Sequence, residues 1–407
     1  MKRIKVIAPI IVGVMLVVAM SSCVPGQPKA PETLRFGAAI QLSGAVAAPA
    51  EELQLRDWRL WVEQTNAKGG IYVPEYGKQV PVELILYDDR SDPGTTVKMV
   101  EKLMVEDKVD VLLPPWGTAW HYAIAPIVNQ YKYPLIGTSM GSTALMEISD
   151  ELPYLFGIEL LTPVMENSLV EVLVEMGVET CAIVTVETQY GIDMWNAILP
   201  PLEDAGIEIL LAETYPLEVT DLSPLLKEIK ALNPDALLGL SYPSDSFLIV
   251  EQSKIIDFNP KFMLVAVGAA SPVFRDKFGA DLIEGIAGHG VWNPHVPYPG
   301  AREYFDAYTA RWGVEPDRWE TYNYAMLQIW EQVINEVGLD REKQREMIAT
   351  ETFSTMWGNI NFVDQYNIDS AGDIGQWQNG EFWPIAPKAK RDAMGVQYLY
   401  PKPQWPK

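Results

Sequence analysis

The chain is poor in cysteine, histidine and positive charge. It has two cysteines and three histidines in 407 residues. A disulfide framework is therefore excluded. His121, His289 and His295 show no ligand spacing such as H-E-x-x-H, so a transition-metal site is not expected. Neither G-x-x-x-x-G-K-[ST] nor G-x-G-x-x-G occurs, so nucleotide chemistry is not indicated and no cofactor is expected. Lys and Arg number 31 against 54 Asp and Glu, a formal net charge of −23. That balance argues against nucleic acid as a partner. The apolar run from Val6 to Val18, about 13 residues, is too short for a comfortable membrane span. What remains is ordinary globular composition, 48% hydrophobic and 21% charged, with length enough for two lobes.

The N-terminus differs in kind. Lys2, Arg3 and Lys5 precede the apolar run, and Met20-Ser21-Ser22-Cys23 follows it. This resembles a bacterial lipoprotein lipobox, with Met20 in place of the usual leucine. Residues 1–22 are expected to be a signal peptide, Cys23 to carry lipid, and 23–32 to form a Pro-rich tether. Without residues 1–22 the chain keeps 28 basic and 54 acidic side chains, net −26, which suits an extracytoplasmic surface. One acylated terminus tethers a soluble body without making it integral. Cys181, in the apolar ETCAIVTV, then has no partner and reads as a small core residue.

From Thr33 onward, strand and helix patterns alternate. Strands are expected at Thr33–Ile40 and Val80–Tyr87, with helices at Glu51–Lys68 and Thr95–Asp107. The stretch Val109–Leu145 continues as strand, turn, helix, strand, turn. The pattern restarts with helices at Thr162–Met176, Gly191–Ala205, Leu222–Leu232 and Ser246–Ile256. Strands alternate with them at Thr180–Val186, Glu208–Tyr215, Ala236–Leu240 and Lys261–Val267. Such alternation gives parallel sheets with helices on both faces, so the fold class is α/β with two doubly wound lobes. Beyond Gly288 it lapses into helices at Ala301–Trp312, Trp319–Val337 and Arg341–Thr350, then short strands over 357–390.

Two small-residue turns follow neighbouring strands: Pro114-Pro115-Trp116-Gly117-Thr118, and Gly137 to Thr143. Hydroxyls and backbone N–H groups there surround the crevice in which open α/β sheets bind ligands. Gly137-Thr138-Ser139-Met140-Gly141 also fits the nucleophile elbow G-x-S-x-G, with Asp276, Asp281, His289 and His295 downstream. A secreted esterase is therefore the rival from another class, and a ligand-sensing lobe pair a third. No oxyanion-loop glycines precede Ser139, which weakens the esterase. His121 reads as a partly exposed helix-cap residue, and Asp88 to Asp92 as a helix-capping turn, since the glycine and terminal glutamate of a calcium loop are missing. Trp58 and Trp61 read as packing. Trp292 fits hinge packing and cleft wall equally.

Several stretches, in order, carry a resemblance: TLRFGAAIQLSGAVA, RDWRLWVEQTNAKGG, VELILYDDRSDP, APIVNQYKYPLIGTSMGSTAL, IVTVETQYG and the late QWQNGEFWPIAP. Together they resemble the leucine/isoleucine/valine-binding type of periplasmic substrate-binding protein, the solute receptors of ATP-driven (ABC) importers. The resemblance implies a hinged type I receptor, a monomer, that closes on a small molecule and presents it to a permease. It places lobe 1 at 33–157 plus 292–356 and lobe 2 at 158–291 plus 357–407. It assigns the ligand's carboxylate to Trp116, Gly117, Thr118 and the Ser139-Met140-Gly141-Ser142 turn, and the opposing cap to Tyr190 and Tyr242. The family's ammonium-binding carboxylate falls at Gly268. Loss of such a buried pair is worth roughly 3–5 kcal/mol, so aliphatic amino acids are expected to bind poorly unless Asp245 or Glu187 substitutes. With Trp116, Trp120, Tyr190, Tyr242 and Trp292 near the cleft, the expected solute is a small carboxylate- or amide-bearing molecule with an apolar or aromatic body.

Overall fold

A computed structural model describes residues 29–141, 143–290, 292–367 and 373–406. The Met20–Cys23 motif and Ser142 lie outside the described residues. Among the described residues no helix is long and apolar enough to cross a membrane.

In the first lobe, β1 (Leu34–Ile40) pairs in parallel with β2 (Val82–Asp88) and β3 (Val111–Leu112). Helix α1 covers 47–67 and includes a π-helical turn at Glu51–Leu55. It buries Trp58 and Trp61, and Trp61 stacks on Phe36 of β1 at 5.9 Å. The apolar spacing thus marks the face that meets the sheet. The turn after β2 is a capping turn: the Asp92 side chain accepts from Thr95 N–H at the start of the next helix, Pro93–Lys102. After β3 come α2 (Thr118–Gln130), β4 (Leu135–Gly137) and β5 (Leu155–Gly157), the last two paired in parallel.

The second lobe holds a seven-stranded sheet. Its parallel part contains β6 (Thr180–Val186), β7 (Glu208–Tyr215), β8 (Ala236–Leu240), β9 (Phe262–Val265) and β10 (Ile286–His289), in the order β10-β9-β8-β6-β7. Between them lie α3 (Gln189–Asp204), Ser223–Leu232 and α4 (Pro243–Ile255). Cys181 is buried and free in β6, where its expected core role places it. Two late strands, Ile374–Gln378 and Glu381–Ala386, add antiparallel to the β10 edge. The sheet is thus mixed at one edge, where the alternation pattern indicated parallel strands only.

Two further strands, Phe362–Val363 and Tyr366–Asn367, extend the β4–β5 sheet of the first lobe, with Tyr366 opposite Gly157. The sequence division at 357 assigned this stretch to the second lobe. Strands of two residues carry no periodicity, so the pairing becomes visible only once the chain has returned across the hinge.

Element boundaries shift where caps act. Helix α3 begins two residues before the expected Gly191 because the Thr188 side chain accepts from Gly191 N–H. Helix α4 begins at Pro243, whose fixed φ suits a first helical position. The helix expected from Trp319 begins at Tyr322. An Asx turn stands in its place, with Asp317 Oδ1 accepting the N–H groups of Trp319 at 2.7 Å and Glu320 at 3.0 Å.

Candidate binding site

A small chamber lies where the carboxyl ends of both sheets face each other. Trp116, Gly117, Thr118 and Ser139 line it from the first lobe, and Tyr190, Tyr242 and Val267 from the second. Glu159, just after β5, and Trp319 and Glu320, in the turn before Tyr322, complete the wall. The cavity is about 20 Å³, room for little more than a water-sized group.

The first-lobe wall is rigidly held. Gly117 has φ +97° at the head of α2, and a side chain there would press on the Trp120 ring; only glycine adopts this conformation without strain. The Gln41 amide bridges the main chain of Trp116, donating to its carbonyl at 3.0 Å and accepting its N–H at 3.3 Å. The indole N–H of Trp116 donates to Glu320 Oε2 at 2.8 Å, and Ser139 Oγ lies 3.5 Å from the same oxygen. Across the chamber, Tyr190 stacks on Tyr242 with centroids 5.1 Å apart and planes 19° apart. Tyr242 in turn meets Trp116 at 5.5 Å. One run of rings therefore spans both lobes.

Two carboxylates dominate the electrostatics. Glu159 accepts hydrogen bonds from the backbone N–H groups of Met140 and Gly141. Burial nevertheless pushes its carboxyl up to about 8. Burial also holds Glu320 well above the usual carboxylate range, and the negative charges of Glu159 and Asp317 add to that rise. The bonds from Trp116 and Ser139 act in the opposite direction but do not reverse it. Among the described residues, no lysine, arginine or histidine lines the chamber. The Tyr190 hydroxyl is buried and has no hydrogen-bond partner.

Of the residues singled out in the sequence, Trp116, Gly117, Thr118, Ser139, Tyr190 and Tyr242 meet at this chamber. Met140 is buried behind it, and Gly141 packs so closely that a Cβ would lie 2.6 Å from the Leu160 carbonyl. Trp292 is fully buried, donates its indole N–H to the Met356 carbonyl at 3.1 Å and packs edge-on against Tyr304. It is hinge packing and does not line the chamber. Gly268 also stands back from it: its N–H bonds to Ser246 Oγ at 3.1 Å, and a Cβ would lie 2.4 Å from Ser246 Cβ. A carboxylate has no room there, and its neighbour Val267 forms the wall. Neither suggested substitute reaches the chamber. Asp245 accepts from the Tyr215 hydroxyl at 3.4 Å, and Glu187 accepts from Thr214 in an exposed position. His121 is fully buried, with Nδ1 2.9 Å from the Gly117 carbonyl, where a partly exposed helix-cap residue was expected. Its ring packs beneath the Gly137 turn, so the tight turn covers it.

The acids Glu159 and Glu320 were not singled out in the sequence. Glu159 had a signal, a lone charge in the apolar run FGIELL at a lobe crossing. Glu320 was concealed because a helix drawn from Trp319 leaves it on an ordinary helical turn.

The nucleophile-elbow reading fails on geometry. Ser139 faces a carboxylate. His289 Nε2 is 3.2 Å from Glu166 Oε1 with both side chains buried, and His295 stacks on Trp383 at 5.6 Å. Neither imidazole lines the chamber.

Comparison with known proteins gives one consistent result. Residues 33–380 match the model of a family described as periplasmic binding protein. A Leu/Ile/Val-binding protein homolog 7 of Brucella suis biovar 1 (strain 1330) is 22% identical over 397 residues, spanning 92% of this chain and 96% of that protein. Among solved structures, the branched-chain amino acid transporter substrate-binding protein LivJ of Streptococcus pneumoniae, in complex with isoleucine, superposes with a TM-score of 0.74. It is 19% identical, over 86% of this chain and 97% of that one. A solute-binding protein of an ABC transporter from R. palustris, in complex with benzoate, gives 0.76 at 16% identity, over 87% and 95%.

Proposed function

Because the chain belongs to the periplasmic binding protein family, we propose that it is the extracytoplasmic solute receptor of an ABC importer and hands a small molecule to a membrane permease. One observation carries this reading: the chamber is built from both lobes, with Trp116 meeting Tyr242 across it. A solute held there contacts both walls only when the lobes are together. Binding therefore shifts the population from open to closed, because the closed form alone makes both sets of contacts. Relatives whose names record leucine, isoleucine or benzoate show that this architecture serves chemically different solutes. Identity near 20% leaves the solute of this chain to be read from its own chamber. The reading is tested by solution scattering with and without a bound solute, where closure lowers the radius of gyration.

The anchor belongs to the same proposal and rests on the sequence of residues 1–23: the basic start, the apolar run and the Met20–Cys23 motif. Lipid on Cys23 would hold the receptor at the membrane surface beside the permease. Cys23→Ala is expected to move the protein from the membrane fraction to the soluble fraction of the producing cell, as read by immunoblot. A variant that stays with the membrane removes the anchor from the account.

A further inference from the structure

The walls of the chamber favour one kind of charge. Two buried carboxylates, Glu159 and Glu320, face a space that no basic residue lines. Four aromatic side chains, Trp116, Tyr190, Tyr242 and Trp319, make up half of the rest. The two backbone donors of the second turn, which an incoming anion would use, are already bonded to Glu159. The Trp116 indole N–H is likewise committed to Glu320. Among the described lining residues, the Tyr190 hydroxyl is a fully buried side-chain group without a hydrogen-bond partner, and it can accept as well as donate. A second pocket of about 340 Å³ adjoins the chamber and shares Tyr242 and Val267 with it. Its wall is mainly apolar, with Val46, Pro49, Leu53 and Phe247, and its charged residues are Glu52, Glu218 and Asp317. It too contains no cation.

We propose that the solute is an organic cation with a compact head, a protonated primary amine without a carboxylate, whose ammonium group sits between Glu159 and Glu320 and whose chain runs into the adjoining pocket. The inference rests on the receptor reading and names the substrate class of the same site. The size fits, because an ammonium head is about as large as the water-sized space available. The chemistry fits as well. An ammonium offers three donors and no acceptor; the carboxylates and the Tyr190 oxygen can accept them, and the ring faces attract the charge. A carboxylate on the solute would meet acids in both pockets.

The Glu159 charge raises the proton affinity of Glu320, and Tyr190, Tyr242 and Tyr322 also feel it. Near neutral pH Glu159, pushed by burial up to about 8, therefore retains its proton in the absence of a cation. An ammonium entering between the two acids displaces a proton, so affinity rises with pH up to about 8, where Glu159 ionises unaided.

The test is a melting and calorimetric titration of the full soluble protein at constant ionic strength. The probes are n-butylammonium, putrescine and cadaverine as chlorides, with leucine, isoleucine and benzoate as the comparison set. Expected is a saturable rise in melting temperature with at least one amine, with proton release seen as a buffer-dependent heat. Glu320→Gln and Glu159→Gln keep an acceptor for Trp116 and for the turn N–H groups, and they remove the carboxyl that would carry the negative charge. Both variants are expected to melt at or above the unliganded wild type while losing about 100-fold or more in amine affinity. Binding of leucine, isoleucine or benzoate with no response to amines overturns the cation assignment and leaves the receptor intact. Equal amine binding by wild type and both variants overturns it as well. No response to any probe overturns it and also leaves the receptor reading without its expected ligand effect.

Discussion

Trp116→Ala is expected to cost about 3–5 kcal/mol of folding stability, the usual range for emptying a buried tryptophan site. The side chain is 2% exposed. It packs against Tyr242 and gives Glu320 its shortest described hydrogen bond, 2.8 Å. Truncation leaves a cavity and a buried carboxylate without its main donor, and the second loss adds to the first. Trp116→Phe separates the two: the ring packing largely remains and only the N–H is lost, so about 1–3 kcal/mol is expected. Calorimetric melting at fixed pH reads both. Binding should fall in both variants, since the ring forms one wall and the N–H orients Glu320. A Trp116→Ala protein that melts and binds like the wild type would remove Trp116 from the site.

Tyr190→Ala should weaken solute binding by about 10- to 100-fold, the effect of losing one well-packed aromatic contact in a closed site. Tyr190 stacks on Tyr242 and belongs to the second lobe, so its loss acts on the closed form in which the walls meet. The effect should appear mainly as faster release, since the approach of solute to an open cleft does not involve the ring. Tyr190→Phe is the control. The hydroxyl has no partner in the unliganded protein, so Phe should leave the melting temperature unchanged or raise it slightly. Weaker binding by the Phe variant then reports a hydrogen bond between the hydroxyl and the solute. Stopped-flow measurement of tryptophan fluorescence gives both rate constants. Unchanged release from Tyr190→Ala would mean that the solute is held elsewhere.

The regular part of the fold was legible because its signals are local. Thr162–Met176, Thr180–Val186, Glu208–Tyr215, Ala236–Leu240 and Ala301–Trp312 have the expected limits. Each has a clear apolar period or a continuous apolar run, bounded by turn residues. The less legible parts depend on tertiary return. The strands at Phe362–Val363 and Tyr366–Asn367 exist because β5 offers them an edge. Six of the ten residues that line the candidate chamber were legible for the same reason as the strands: Trp116, Gly117, Thr118, Ser139, Tyr190 and Tyr242 follow strand ends, where an α/β sheet places its ligand. Glu159 follows the end of β5 as Ser139 follows β4, but as a lone charge in an apolar run it was not singled out. Glu320 follows no strand; it comes from the Asx turn that replaces the expected start of a helix. Gly268, where the resemblance placed a missing carboxylate, stands back from the chamber. A side chain is sterically excluded there, and negative charge enters the chamber from other elements.

The central claim is that two lobes close on a solute at this chamber. Small-angle scattering on the wild type, titrated with whichever probe raises its melting temperature, tests it most directly. The radius of gyration should fall as the probe saturates, with the same midpoint as the calorimetric binding curve, and Tyr190→Ala should shift both midpoints together. A probe that binds tightly while the radius of gyration stays constant would contradict the account.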